Sequence, residues 1–503
     1  MQRTLTKRYI VRLGGLALCL AVMGCAASDR YQLETIRSQF APLPQAPHNG
    51  AVPPPPAVFD PSAEPLTLAR AVALAKANNP NLGMATARIA RAQADLTKAS
   101  APFYPYLSVY TEYLQGDAPS AYLFKQIDRR KLPPDADFND PGWFENWESG
   151  MRARWNLYNA GRDRLGRETA LSGESLAQWT HRGVENRLVA LVIQAFYDAR
   201  AAREFIQTAQ ASVATVESQL RVMTVRFKAG GALKSDILTL EVRLAQARED
   251  LVGSRNRYRI ARATLTNLMG IDPAPALKLA DTPLGPETLS FPGSETVPDH
   301  AMPEALTEGL AYALAHRPEL TQVAERLRQT RMALDSARGG YLPRVDLEAR
   351  YYLDDPGLAY DTERDNWAAA VILNWDLFSG FRTRADIGAA RAAIDEALAA
   401  DRKTLLEIQF DVQQAYLNLQ AAQERLKVAL SAVDKAEESL GLVKTQYEGG
   451  SATVTRYLEA ELDRNQARIR VIAARYDQEK TRAEIGRAIG RWYAAPQPQQ
   501  DRQ

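Results

Sequence analysis

The chain has 503 residues, with 62 Lys+Arg against 60 Asp+Glu and a formal net charge of +2 at pH 7. So balanced a charge excludes the electrostatic footprint of a nucleic-acid binder and gives no field for a strongly acidic partner. The four histidines, His48, His181, His300 and His316, have no metal-ligand spacing, and no P-loop, HExxH or CxxC occurs, so no metal site, cofactor or enzymatic activity is expected.

At the start, Arg3, Lys7, Arg8 and Arg12 precede an apolar run from Leu13 to Met23. This is the pattern of an export signal over 1–24, too short to cross a bilayer, which needs about 20 residues. The end of the run, Val22-Met23-Gly24-Cys25, resembles the lipobox of bacterial lipoproteins, which makes Cys25 the lipidated first residue of the mature chain. Ala26 stands where such lipoproteins carry Asp for inner-membrane retention, so the resemblance implies the outer membrane. Cleavage before Cys25 removes Cys19 and leaves no disulfide, so stability has to come from packing. Residues 25–61, with "VPPPPA", read as an extended tether.

Beyond the tether the chain repeats itself. "NNPNL" at 78 matches "HRPEL" at 316 and "FYPYLSV" at 103 matches "GYLPRVD" at 340, with Pro80 and Pro318, and Pro105 and Pro343, offset by 238. "WNLYNAGRDR" at 155 matches "WDLFSGFRTR" at 375 and Gly230 matches Gly450, offset by 220. The first copy, 62–290, therefore holds 238 − 220 = 18 extra residues between Pro105 and Trp155 relative to the second, 291–495. Residues 496–503 form a tail. So long a period is a duplicated half-molecule rather than a solenoid array.

Four stretches alternate apolar and polar residues with period two: about 105–116, 147–157, 344–354 and 366–377. The expected apolar faces are Leu107, Val109, Thr111 and Tyr113; Trp147, Ser149, Met151, Ala153, Trp155 and Leu157; Val345, Leu347, Ala349, Tyr351 and Leu353; and Trp367, Ala369, Val371, Leu373, Trp375 and Leu377. Their length and aromatic ends fit membrane-spanning barrel strands. Four strands cannot close, because lipid tolerates no open edge. Oligomerisation is therefore expected, two chains giving 8 strands with a packed interior or three giving 12 with a water-filled lumen.

The proline-free tracts 142–272 and 357–495 carry the long helices. Leu188, Val192, Ala195, Ala199, Ala202, Ile206, Ala209, Val213, Val216, Leu220, Met223 and Phe227 follow a 4-3 spacing, and all twelve positions 220 residues later, Ile408 to Tyr447, are apolar. Hairpins are expected at about 162–269 and 382–490, with tips at 228–232 and 448–452. The tip glycines reverse the chain, and Lys234, Ser235 and Asp236 offer caps for the returning helix.

The two tandem copies, the glycine tips "RFKAGG" and "QYEGGS" and the lipobox resemble the TolC family of outer membrane efflux factors, in its lipoprotein branch. The resemblance implies mainly α structure with membrane β: duplicated antiparallel α-hairpins in a coiled-coil α-barrel, and a homotrimeric 12-stranded barrel in the outer membrane lipid of a Gram-negative bacterium. It implies a passive exit duct for small molecules, supplied by an inner membrane pump through a periplasmic adaptor that meets Ala229, Gly230, Gly231, Gly449, Gly450 and Ser451. The runs near 271–303 and the C-terminal tail would form a belt around the tunnel. Polypeptide secretion and metal efflux remain alternatives, and a lipid-anchored coiled-coil scaffold or adhesin is the alternative of another class.

By the same resemblance Asp236 and Tyr447 match residues that hold the periplasmic tip closed. The family's usual basic partner is absent, since Ala452 takes its place. Of two acidic ring positions, Arg456 occupies the first and Glu459 the second. Arg456 is therefore expected to pair at the gate with Asp236 or with Glu459, three residues along the same helix face.

Overall fold

The computed structural model describes residues 65–135, 137–271, 277–280, 303, 305–357 and 365–493. The expectations for Cys25, the tether, most of the belt run and the C-terminal tail fall outside them. The duplication is copied into the elements. Leu68–Asn78 (α1) and Pro80–Ala99 (α2) lead into Tyr106–Gly116 (β1), Pro119–Asp128 (α3), Phe144–Tyr158 (β2), Arg162–Lys228 (α4) and Lys234–Met269 (α5). The second copy gives Leu306–His316 (α6), Pro318–Arg338 (α7), Arg344–Asp355 (β3), Asp365–Asn374 (β4), Arg382–Glu448 (α8) and Val454–Ile489 (α9). Both long helices have 67 residues, roughly 100 Å at 1.5 Å per residue, and both return helices have 36. Helix α3 was not expected; it occupies the extra residues of the first copy.

The chain forms two units. One comprises 102–158 and 344–374; the other comprises 65–101, 159–343 and 375–493. The first is a four-stranded antiparallel sheet in the order β1-β2-β3-β4, in which β1 and β4 each pair on one side only among the described residues. Its register brings the four apolar faces onto one side. Val109 stands opposite Met151, Met151 opposite Tyr351 and Tyr351 opposite Trp367; Trp155 faces Leu347, which faces Val371. Three expected members are corrected. The register shifts between Asn156 and Tyr158, which takes Leu157 out of the alternation, and β4 ends at Asn374, so Trp375 and Leu377 lie beyond it. Trp375 instead donates from its indole to the Tyr341 carbonyl at 3.0 Å.

In the second unit each long helix packs along its return helix through the heptad seam. Every seam position is buried or half-buried except Phe227. A large cluster around Leu66, Ile193, Phe196, Tyr197, Leu265 and Met269 of the first copy takes in Tyr476 and Trp492 of the second. A smaller one, with Ala313, Ile408, Val412, Ile485 and Ile489, serves the second. A third cluster lies near the tips and joins both hairpins: Val216, Met223, Leu240 and Leu244 meet Val443, Tyr447, Val454, Tyr457 and Leu458. Apolar contact of this kind is what holds helices whose other faces are charged.

Candidate functional site

Each tip is built from its own last helical turn. At the first, the Gly230 amide donates to the Phe227 carbonyl at 2.9 Å and the Gly231 amide to Arg226 at 2.8 Å. At the second, Gly450 donates to Tyr447 at 3.1 Å and Ser451 to Gln446 at 2.9 Å. Both are Schellman closures, in which the pivotal residue must be left-handed; Gly230 has φ 78° and Gly450 φ 79°. Ala229, Gly230, Gly231, Gly449, Gly450 and Ser451 are all exposed, so the two turns present a bare backbone surface.

The start of each return helix is capped differently. The Asp236 carboxylate accepts from the Leu233 amide at 3.2 Å, and the Thr453 hydroxyl accepts from the Arg456 amide at 3.3 Å. Asp236 is thus engaged with its own helix end. Arg456 meets Glu459 at 3.5 Å with both side chains more than half exposed, which as a surface pair contributes well under about 1 kcal/mol. Tyr447 is buried, its ring stacked on Tyr457 at 5.3 Å with the Arg226 guanidinium 5.6 Å from its centre, and its hydroxyl has no hydrogen-bond partner among the described residues. Of the four residues matched to the gate, the fold brings Arg456 and Glu459 together.

Beside this cluster stands a residue that sequence reasoning missed. Glu461 is 3% exposed, and Arg464 is 3.7 Å away. Burial pushes the Glu461 carboxyl above its ordinary range, and the charge of Arg464, the Thr215 hydroxyl and the charge of Arg243 offset this only in part. A carboxyl raised on folding contributes stability that is complete below its unfolded pKa and is lost as pH rises through the folded one. Glu461→Gln is therefore expected to raise the thermal midpoint in detergent at neutral pH, the gain shrinking as pH falls toward about 4. An equal or lower midpoint at neutral pH would count against this.

The sheet unit has a polar face of its own. Helix α3 lies across it, tied down by Lys125, whose ammonium contacts Glu148 at 2.5 Å and Asp354 at 2.9 Å. Glu148 and Asp354 are directly opposite in the register, so one cation serves two carboxylates. Asn146 donates to Asp354 at 2.6 Å and is itself held by Arg129 at 2.6 Å. Tyr110 donates to Glu148 at 2.6 Å. The opposite face is bare and apolar, with Trp367 77% exposed and Val109, Met151 and Val371 also exposed. Such a patch marks a surface that something apolar covers.

The outer membrane efflux protein family model matches residues 71–271 and 310–491, one segment in each copy. Protein CyaE of Bordetella pertussis is 25% identical over 407 residues, 80% of each chain. Pyoverdine export outer membrane protein OpmQ of Pseudomonas aeruginosa is 23% identical over 393 residues, 76% of each chain. The Campylobacter jejuni CmeC outer membrane channel, a solved structure, is similar with a TM-score of 0.73 and 15% identity, over 90% of this chain and 94% of that one. This last likeness is one of fold.

Proposed function

The chain belongs to the outer membrane efflux protein family, and we propose that three copies close one barrel in the outer membrane, with 3 × 4 = 12 strands, as the passive exit of a tripartite assembly. The observation that carries this is the register: four apolar faces on one side, ionic groups on the other, and two strands with an unpaired edge. The apolar side faces lipid and the polar side water. A scaffold or adhesin would have no use for such a sheet.

The cargo is small molecules delivered by an inner membrane pump through a periplasmic adaptor, which docks on the exposed tip turns. We place the pyoverdine export named for OpmQ, matched over 76% of this chain, above the protease secretion named for AprF, matched over 67%. Asp236, Tyr447, Arg456 and Glu459 form the region of the periplasmic gate, and lipidated Cys25 anchors the mature chain. The mass of the detergent-extracted mature protein, corrected for bound detergent, tests the assembly. Three chains per particle are expected; a stable monomer would overturn the duct.

A further inference from the structure

On the polar face, Arg152 of β2 and Arg350 of β3 stand directly opposite each other. Opposed like charges destabilise a sheet, so an arrangement of this kind is usually avoided. Their outer neighbours on the same rung are Ser108 and Ala368, so the rung holds two cations and no carboxylate. On one side the adjacent rung pairs Arg154 with Glu348 at 3.4 Å; on the other, the Tyr110–Gly150–Tyr352 rung separates the arginines from Glu112, Glu148 and Asp354, of which the last two share Lys125.

Each arginine is braced by a tyrosine rather than by an acid. The Arg152 guanidinium lies 4.7 Å from the Tyr110 ring centre and that of Arg350 4.8 Å from Tyr352. Stacking on a ring fixes a guanidinium in place without cancelling its charge. Between the two tyrosines, on the neighbouring rung, is Gly150, where a Cβ would overlap the backbone of Tyr351 and Tyr352.

We propose that this rung is an anion-selecting belt in the lumen, six arginines around the trimer, and that it favours cargo carrying carboxylate or phosphate groups. This rests on the trimeric duct above and names the class of molecule that duct passes most readily. Planar, permanently charged guanidinium groups suit both oxyanions, and a ring of cations in a water-filled pore sets the sign of selectivity.

The test is the reversal potential of the full-length protein in a planar bilayer under a KCl gradient. The wild type is expected to prefer chloride. Arg152→Gln with Arg350→Gln should lower the chloride-to-potassium permeability ratio by at least about twofold, whereas Arg152→Lys with Arg350→Lys should keep its sign. A conducting wild type that prefers potassium or neither ion, or an unchanged ratio in the glutamine variant, would overturn the belt and leave the duct standing. No conductance from the wild type would overturn the duct, and the belt with it.

Discussion

Lys125→Met is expected to destabilise the β unit by about 3–5 kcal/mol, the scale seen when one partner of a buried ion pair is removed. Lys125 is largely buried, Glu148 more so, and the Asp354 side chain is fully so. Without the ammonium, two carboxylates remain directly opposite each other, holding hydrogen bonds from the neutral donors Tyr110 and Asn146. One Asp354 oxygen already lacks a hydrogen-bond partner among the described residues, so little can be rearranged to compensate. Adding Glu148→Gln and Asp354→Asn to Lys125→Met should recover most of the loss, because the cost lies in uncompensated charge rather than in packing. Thermal melting of the detergent-solubilised protein reads both. A triple variant as unstable as the single one would place the cost in the lysine's packing instead. In a bilayer the single variant should also conduct more, since α3 loses its main tie to the polar face of the sheet.

Helix α3 also shows where the sequence stopped being legible. Reading the chain as two copies made every element present in both easy to find. The equal lengths of α4 and α8, and of α5 and α9, follow from the offset of 220. So do the two Schellman tips, since a glycine followed by a small residue at the end of a heptad seam has few other uses. An insertion has no second copy to check it against, and α3 was passed over although Pro119 sits at its first turn.

Equivalent jobs done by different residue types were hidden too. Asn79 donates to the Leu268 carbonyl at 2.8 Å, and Arg317, 238 residues later, donates to the Ala488 carbonyl at 2.8 Å. Both tie the start of a short helix to the last turn of a return helix, yet the residues share no chemistry that an alignment of the copies would flag. Glu461 was equally invisible. A glutamate on a charged helix reads as solvated until the fold turns it toward the other hairpin. The polar faces of the strands were legible as alternation, but the Arg152–Arg350 pairing depends on register, and single strands do not carry register.

Asp411→Asn is expected to cost about 2 kcal/mol at neutral pH, because Asp411 joins three elements of the second copy. Its carboxylate takes Arg317, at the start of α7, at 3.0 Å and Arg487 of α9 at 2.7 Å, while Asp411 itself belongs to α8. Arg317 is 7% exposed and also donates to the Ala488 carbonyl, so its charge is seated between helices and needs an anion. Glu319 at 2.9 Å and Glu484, paired with Arg487, remain in the variant, which keeps the cost below that of Lys125→Met. Burial alone would raise the Asp411 carboxyl; the hydrogen bonds and charges of Arg487 and Arg317 outweigh it and hold it below the usual carboxylate range. A carboxyl lowered on folding contributes stability that is present above its unfolded pKa, about 4, and is lost as pH falls through the folded one. The gap between wild type and Asp411→Asn should therefore be full at neutral pH and close on acidification. Glu461→Gln should stabilise at neutral pH and converge with the wild type from the other side. Melting curves of both variants across pH separate the two carboxylates by sign, and a pH-independent gap for Asp411→Asn would show that its ion pairs contribute nothing beyond shape.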